Sequence, residues 1–329
     1  MTTRRRDFLR SASALTALCA SGISGAQPAL FEQARILVGF PPGGGTDGAA
    51  RRVAEGIRGH YAGIVVVDNK PGAAGRLAVE EVRRSVADGS LMLMQPDAVM
   101  TQQPHVDPKN TRYKFDDLSP VASMGLHHHA LVVGPMVPET VRSVRDFLEW
   151  AKAHPKQAAF GTAGANSSQD ILMRIAMKQN GFELTHVPYR GSIPGIQDAL
   201  AGQVAAMFSP VGDSLQYRPS GKLRAIGTSG SRRSKFMPDV PTFEEQGIKG
   251  MELTERMGLW VRRGVPDAVQ DKLHTDVKRV LQLPEVIEFL ARSGFEPDPI
   301  SRREYTTALQ ESFGAWGERV RLSGFKPES

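Results

Sequence analysis

The stretch "GFPPGGGTDGAARRVA" at 39–54 carries most of a phosphate-binding loop. In a loop of the form G-x-x-x-x-G-K-[ST], backbone N–H groups cradle phosphates and a lysine supplies the cation. Gly39 and Gly44 have the spacing and Thr46 stands at the Ser/Thr place, but Gly45 occupies the lysine position. What remains is a glycine-rich turn opening a helix, whose backbone N–H groups and positive dipole end suit a carboxylate without any lysine. A second such unit, "GTAGANSSQD" at 161–170, lies in the other half of the chain. Both units follow an apolar strand and place hydroxyl or Asp side chains at the expected helix N-cap. Facing each other across a cleft, the two would grip a small organic acid.

Other residue groups point to chemistry less well. His127, His128 and His129 are consecutive. Side chains alternate along a strand, so only His127 and His129 share a face. Two ligands need a third, and the sequence offers no fixed partner, so these histidines are read as hinge or rim residues and no metal is expected. Ser167 and Ser168 lack the G-x-S-x-G setting of a nucleophile. His186 is near in sequence but begins a strand. The pairs Glu80-Glu81, Asp116-Asp117 and Glu244-Glu245 fall in helical or loop contexts and read as solvated faces. No catalytic residue and no cofactor is expected.

Strand and helix patterns alternate along the chain. "ARILVGF" (34–40), "GIVVVDN" (63–69) and "SLMLMQ" (90–95) are strands separated by helical patterns from about Asp47 to Arg58 and in "RLAVEEVRRSV". This order implies a parallel sheet covered by helices on both faces. Residues 96–120 are rich in proline and read as loop-rich; "HHALVVGP" resumes as a strand and "SVRDFLEWAKAHP" as a helix. The pattern then restarts as strand, glycine-rich turn and helix in 157–181, with further strands in "LTHVPYR", "QVAAMFSP" and "KLRAIGTSG". After "MELTERMGLWVRRG", helical patterns dominate to the end.

The chain has 329 residues, 40% hydrophobic and 23% charged, ordinary for a globular protein of one or two domains. Half of its formal charge of +6 lies in "MTTRRRDFLR". With no long basic run and no interleaved aromatics, nucleic acid is not an expected partner. Residues 1–26 read as an export signal. Arg5-Arg6-x-Phe8-Leu9-Arg10 is a twin-arginine start, a short apolar stretch follows, and Ser24-Gly25-Ala26 offers small residues for cleavage before Gln27. Cys19 is the only cysteine, and Leu18 precedes it where lipidation wants a small residue. Cleavage after Ala26 leaves no cysteine, hence no disulfide, thiol catalysis or Cys-based metal site.

Six segments in order resemble the Bug/TctC family, the periplasmic receptors of tripartite tricarboxylate transporters: "PPGGGTDGAAR" (41–51), "DNKPGAAGRLAVEEV" (68–82), "DDLSPV" (116–121), "GTAGANSS" (161–168), "VPYRGSIPGIQDALAGQV" (187–204) and "GKLRAIGTSGSRRSKFMPDVPTFEEQG" (221–247). The resemblance implies an α/β, two-domain periplasmic-binding-protein (Venus flytrap) fold, type II-like, with two crossovers between the lobes. It implies one lobe of residues 27–127 plus 251–329 and a second of 128–250. It also implies a ligand carboxylate between the paired loops: Pro42, Gly43, Gly44, Gly45 and Thr46, with Asp47 capping the helix behind, against Thr162, Ala163, Gly164, Asn166, Ser167 and Ser168. Ala73 and Ser209 are expected to line the distal pocket. The implied role is that of a monomeric receptor handing a mono-, di- or tricarboxylate, aliphatic or aromatic, to membrane transporter subunits. A periplasmic sensor for a histidine kinase and an α/β hydrolase or transferase are the alternatives.

The sequence departs from the family pattern in places. Asn166 stands for the usual Gly, Ala205 for an Asp and Arg256 for a Trp. Arg256 is open to a second acidic group on the ligand or to solvent. Asp170 and Arg174 stand where the family helix has His and Glu; they keep an i,i+4 opposite-charge pair with reversed polarity and read as structural.

Overall fold

The computed structural model describes residues 29–181 and 183–326. The expected export signal, Cys19 included, lies outside them. Two five-stranded sheets organise the chain. The first is built from β1 (Phe31–Val38), β2 (Ala62–Asn69), β3 (Leu91–Pro96), β4 (Leu118–His127) and β10 (Glu255–Arg262), in the order β2-β1-β3-β10-β4. The second contains β5 (His129–Val133), β6 (Ala159–Thr162), β7 (Thr185–Pro188), β8 (Ala206–Pro210) and β9 (Arg224–Thr228), in the order β7-β6-β8-β5-β9. In each sheet the first three strands run parallel and the fourth is antiparallel to both neighbours. The two sheets therefore share one topology, the two-lobed α/β architecture expected.

The helices are α1 (Gly45–Ile57), α2 (Arg76–Arg84), α3 (Ala98–Thr101), α4 (Gln103–Val106), α5 (Val144–Ala153), α6 (Ser168–Asn180), α7 (Ser192–Leu200), α8 (Val211–Leu215), α9 (Asp267–Val280), α10 (Pro284–Arg292) and α11 (Arg302–Ser323). They cover both faces of each sheet, so central strands are buried on both sides; Ile36, Leu37 and Val38 are all fully buried. In the first unit, Val53, Ile57, Leu273 and Val277 pack on one face and Val79, Val82 and Tyr305 on the other. In the second, Phe147, Ile171 and Leu172 fill one face and Ile196 and Val211 the other.

Two departures from the sequence expectation have physical causes. The stretch 96–120, read as loop-rich, holds α3, α4 and the start of β4; Pro104 sits in the first turn of α4, where its missing N–H costs nothing. "LSPVASMGLH" forms β4 despite Pro120 and Gly125 because β10, within "MELTERMGLWVRRG", pairs along its whole length. The chain passes between sheets twice through strands, at His128 and again on entering β10 at Glu255, and α11 crosses a third time.

That helix, expected to belong to the first lobe, is shared. Tyr305 and Leu309 pack in the first unit, whereas Trp316 and Val320 enter the core of the second. Ser301 caps α11 in a reciprocal capping box with Glu304, and Gly324 ends it in the left-handed conformation. Trp316→Ala is expected to destabilise the protein by about 3–5 kcal/mol, the usual cost of emptying a buried aromatic site. Urea unfolding measures it; a loss near zero would show that the second half of α11 is not anchored.

Candidate functional site

The loop between β1 and α1 is held by Asp47. Gly44 is the N-cap, extended and without a side-chain cap, so Asp47 is the third helical residue and not the cap that the sequence suggested. Its carboxylate reaches back to the loop and accepts the N–H of Gly43 at 2.9 Å. Arg51, one turn on, binds both carboxylate oxygens at 2.9 and 3.0 Å, and Asn69 at the end of the neighbouring strand β2 donates to Oδ1 at 3.0 Å. Burial would raise this carboxyl, but hydrogen bonds from Arg51, Gly43 and Asn69 outweigh it and hold it below the ordinary carboxylate range. Gly43, at φ +88°, makes the turn that aims its N–H at Asp47.

The loop between β6 and α6 repeats this construction. Ser167 is the N-cap and accepts the N–H of Asp170, again the third helical residue. The Asp170 carboxylate accepts the N–H of Asn166 at 3.2 Å and both branches of Arg174, one turn on, at 2.8 and 3.2 Å. His186 of the neighbouring strand β7 stands 3.5 Å from Asp170, in the place Asn69 holds in the first unit. Asn166 lies at φ +58°, matching Gly43. Asn is among the few residues that tolerate this region, which accounts for its standing where a Gly is usual.

Both aspartates are thus occupied by their own loops and arginines. The backbone donors are not. Among the described residues, the N–H groups of Gly44, Gly45, Thr46 and Asp47 in the first unit, and of Ser167, Ser168 and Gln169 in the second, have no hydrogen-bond acceptor. Pro42, Gly43, Gly44 and Gly45 are exposed, and Ala163, Gly164, Asn166 and Ser167 are half-buried. Each unit therefore presents a helix N-terminus of unpaired donors with its local charge neutralised, an arrangement whose chemistry suits an anion.

Several expected site residues stand elsewhere. The Thr162 hydroxyl is buried, bonded to Gly164 O and His186 Nε2, both at 2.8 Å. Ser168 is buried and its hydroxyl lies within reach of Gln102 Oε1 at 3.0 Å and of Glu255. Ser209 is fully buried, and its hydroxyl has no partner among the described residues. Ala73 is exposed and lines a groove of about 440 Å³ with Arg76, Leu77, Glu80, Arg84, Asn110, Arg112 and Tyr113, to which no other expected site residue contributes. Ala73 and Ala74 adopt φ +48° and +54° between two positive-φ glycines, Gly72 and Gly75, a strained turn for residues with a Cβ. Arg256 donates through Nε to Asp298 at 2.6 Å.

Three residues the sequence did not single out shape the base of the site. Gln102, following α3, donates to Asn166 O at 3.2 Å and meets Ser168, so it joins the first unit to the second loop. Asp97 follows β3 at the N-cap of α3 and accepts the Tyr305 hydroxyl; burial pushes its carboxyl up to about 8. Glu255, first residue of β10, lies 3.6 Å from His127 and 3.4 Å from His129. All three histidines are buried, at the junction where β4 passes into β5. Burial pushes His127 and His129 down to about 3, so both rings are neutral.

Asp47→Ala and Asp170→Ala are each expected to cost about 1–3 kcal/mol of stability at neutral pH, since each leaves loop and arginine donors unpaired. For Asp47 the sign is set by its lowered carboxyl: the contribution is present above the unfolded-state value and is lost as pH falls through the folded one. Urea unfolding at pH 7 and in acid should therefore show the Asp47→Ala deficit shrinking in acid. A deficit that stays constant would remove the ionised carboxylate from this account.

Comparison with known proteins follows the same lines. The model of the tripartite tricarboxylate transporter family receptor matches residues 49–324. A relative in Cupriavidus necator, the UPF0065 protein in the gbd 5' region, is 30% identical, with 94% of each chain covered. The structure of the periplasmic binding protein BugD superposes with a TM-score of 0.76 at 25% identity, covering 90% of this chain and 99% of that one. That of R. palustris Rpa4515 with adipate gives 0.78 at 25% identity, covering 90% and 98%.

Proposed function

Because the chain belongs to the tripartite tricarboxylate transporter receptor family, we propose that it is a periplasmic receptor that binds a small organic acid between its two lobes and delivers it to a tripartite membrane transporter. The observation that carries this reading is the pair of matching helix N-termini. Each offers unpaired backbone donors, and each carries an aspartate already neutralised by its own arginine. A carboxylate between them would be held by N–H groups and helix dipoles with little help from charged side chains. Adipate in the related Rpa4515 supports a carboxylate as the ligand class.

The alternative of a hydrolase is less well supported. Ser167 caps α6, and Ser168 meets Gln102 and Glu255, so both serine hydroxyls have partners other than an imidazole base. A thermal-shift screen of mono-, di- and tricarboxylates, aliphatic and aromatic, should return at least one stabilising ligand, recovered unaltered after incubation. Turnover of that ligand would overturn the receptor reading.

The glycines allow a sharper test. A Cβ on Gly164 meets no atom within 4 Å, and one on Gly44 meets only Pro41 O at 3.9 Å. Neither position needs a positive φ. Gly44→Val and Gly164→Val should therefore fold normally while crowding the anion. Loss of one charge-assisted hydrogen bond, about 1.5–3 kcal/mol, sets the expected weakening at about tenfold to a hundredfold. Titration calorimetry with the best carboxylate from the screen measures it; a folded valine variant that binds like wild type would reduce that loop to a turn. Export is assigned to the twin-arginine route on Arg5 and Arg6, and Arg5→Lys with Arg6→Lys should abolish periplasmic accumulation in cell fractionation. Wild-type accumulation would assign another route.

A further inference from the structure

We propose that His127, His129 and Glu255 form a site for one divalent transition-metal ion of the Zn²⁺ class where the two sheets join. The sequence supplies two histidines on one face of the strand line, and the fold supplies the third donor from β10. One donor atom from each residue lies within 4.8 Å of the other two. Glu255 Oε2 is 3.6 Å from His127 Nε2 and 3.4 Å from His129 Nε2. Two ligand atoms bound at about 2.0–2.2 Å to one tetrahedral ion lie about 3.3–3.6 Å apart. Both separations already have that span.

The electrostatics of the cluster ask for a cation. The Glu255 side chain is only 11% exposed, its direct ion-pair contacts among the described residues are these two imidazoles, and the Arg319 guanidinium acts on it from further away. Neither ring nitrogen of His129 has a hydrogen-bond partner among the described residues, nor does His127 Nδ1. An uncompensated buried polar atom destabilises the fold. A bound ion would occupy one lone pair from each ring and balance the carboxylate.

The surroundings suit this role. Phe295 packs on the His127 ring and Phe208 lies edge-on to that of His129, so the donors sit within apolar walls. The Ser168 hydroxyl reaches the other carboxylate oxygen of Glu255, and the backbone N–H of His129, not its ring, is fixed on Ser229 Oγ at 2.9 Å. Such outer contacts orient metal ligands. Two imidazoles and one carboxylate as donors favour Zn²⁺ or its Co²⁺ and Ni²⁺ neighbours over Ca²⁺ or Mg²⁺, leaving a fourth position for water. Since His127 and Glu255 belong to one sheet and His129 to the other, the ion would tie both strand crossovers together.

The test uses the full chain, purified without a histidine tag and stripped with a chelator. Titration calorimetry with ZnCl₂ should give one ion per chain, and Co²⁺ should give the visible absorption of a tetrahedral complex. Glu255→Gln, which keeps the shape and a partner for Ser168, should weaken Zn²⁺ binding at least tenfold and remove the Co²⁺ signal, with the fold checked by circular dichroism. Crystals of the wild-type chain soaked in Zn²⁺ need no variant and should show an anomalous peak among the three side chains. No binding in millimolar Zn²⁺, binding unchanged by Glu255→Gln, or an anomalous peak confined to other residues would each overturn the proposal.

Discussion

A carboxylate at the third position of a helix sits among backbone donors that no helical carbonyl can reach. Where it spends its lone pairs decides what those donors are free to do. Asp47 and Asp170 both reach back to the loop, take the N–H of the residue before the cap, and are neutralised from one turn further along by Arg51 and Arg174. Had either aspartate lacked its arginine, its charge would repel the anion that the same helix end attracts. The loop geometry, the left-handed Gly43 and Asn166 and the partnerless N–H groups all follow from this one arrangement.

The recurrence of that arrangement is a property of the fold. Each loop leaves the second strand in its sheet's order, each helix returns to the edge strand, and the edge strand contributes the side chain beside the aspartate, Asn69 in one unit and His186 in the other. Equivalent positions carry different residues, so what the two units share is the bonding pattern. A polar donor at the strand end and a residue tolerant of positive φ meet its requirements.

Much of this was legible in the sequence because it is local. The two glycine-rich turns, the strands before them and the i,i+4 charge pair on α6 lie within windows of some twenty residues. Asp47 was misplaced as a cap because Asp is favoured both at the cap and in the first turn behind it, and spacing alone does not separate the two. Gln102, Glu255 and Asp97 were out of reach for a different reason. Gln102 meets Asn166 across 64 residues, Ser168 meets Glu255 across 87, and Asp97 meets Tyr305 across 208. Such contacts are set by how two sheets are threaded together, which no local pattern encodes. The third donor to the histidine pair was hidden in the same way.

The sharing of α11 makes any rotation of one sheet against the other a question of elasticity. The helix is clamped by Tyr305 and Leu309 at one end and by Trp316 and Val320 at the other. Between the clamps lies Gly314, whose missing side chain leaves open space, and Gly317 follows directly behind Trp316. Glycine weakens a helix interior by about 0.5–1 kcal/mol relative to alanine, so bending concentrates there. Turning the lobes loads α11 like a leaf spring held in two vices, softest at Gly314. The strain it takes up is returned when the load is released.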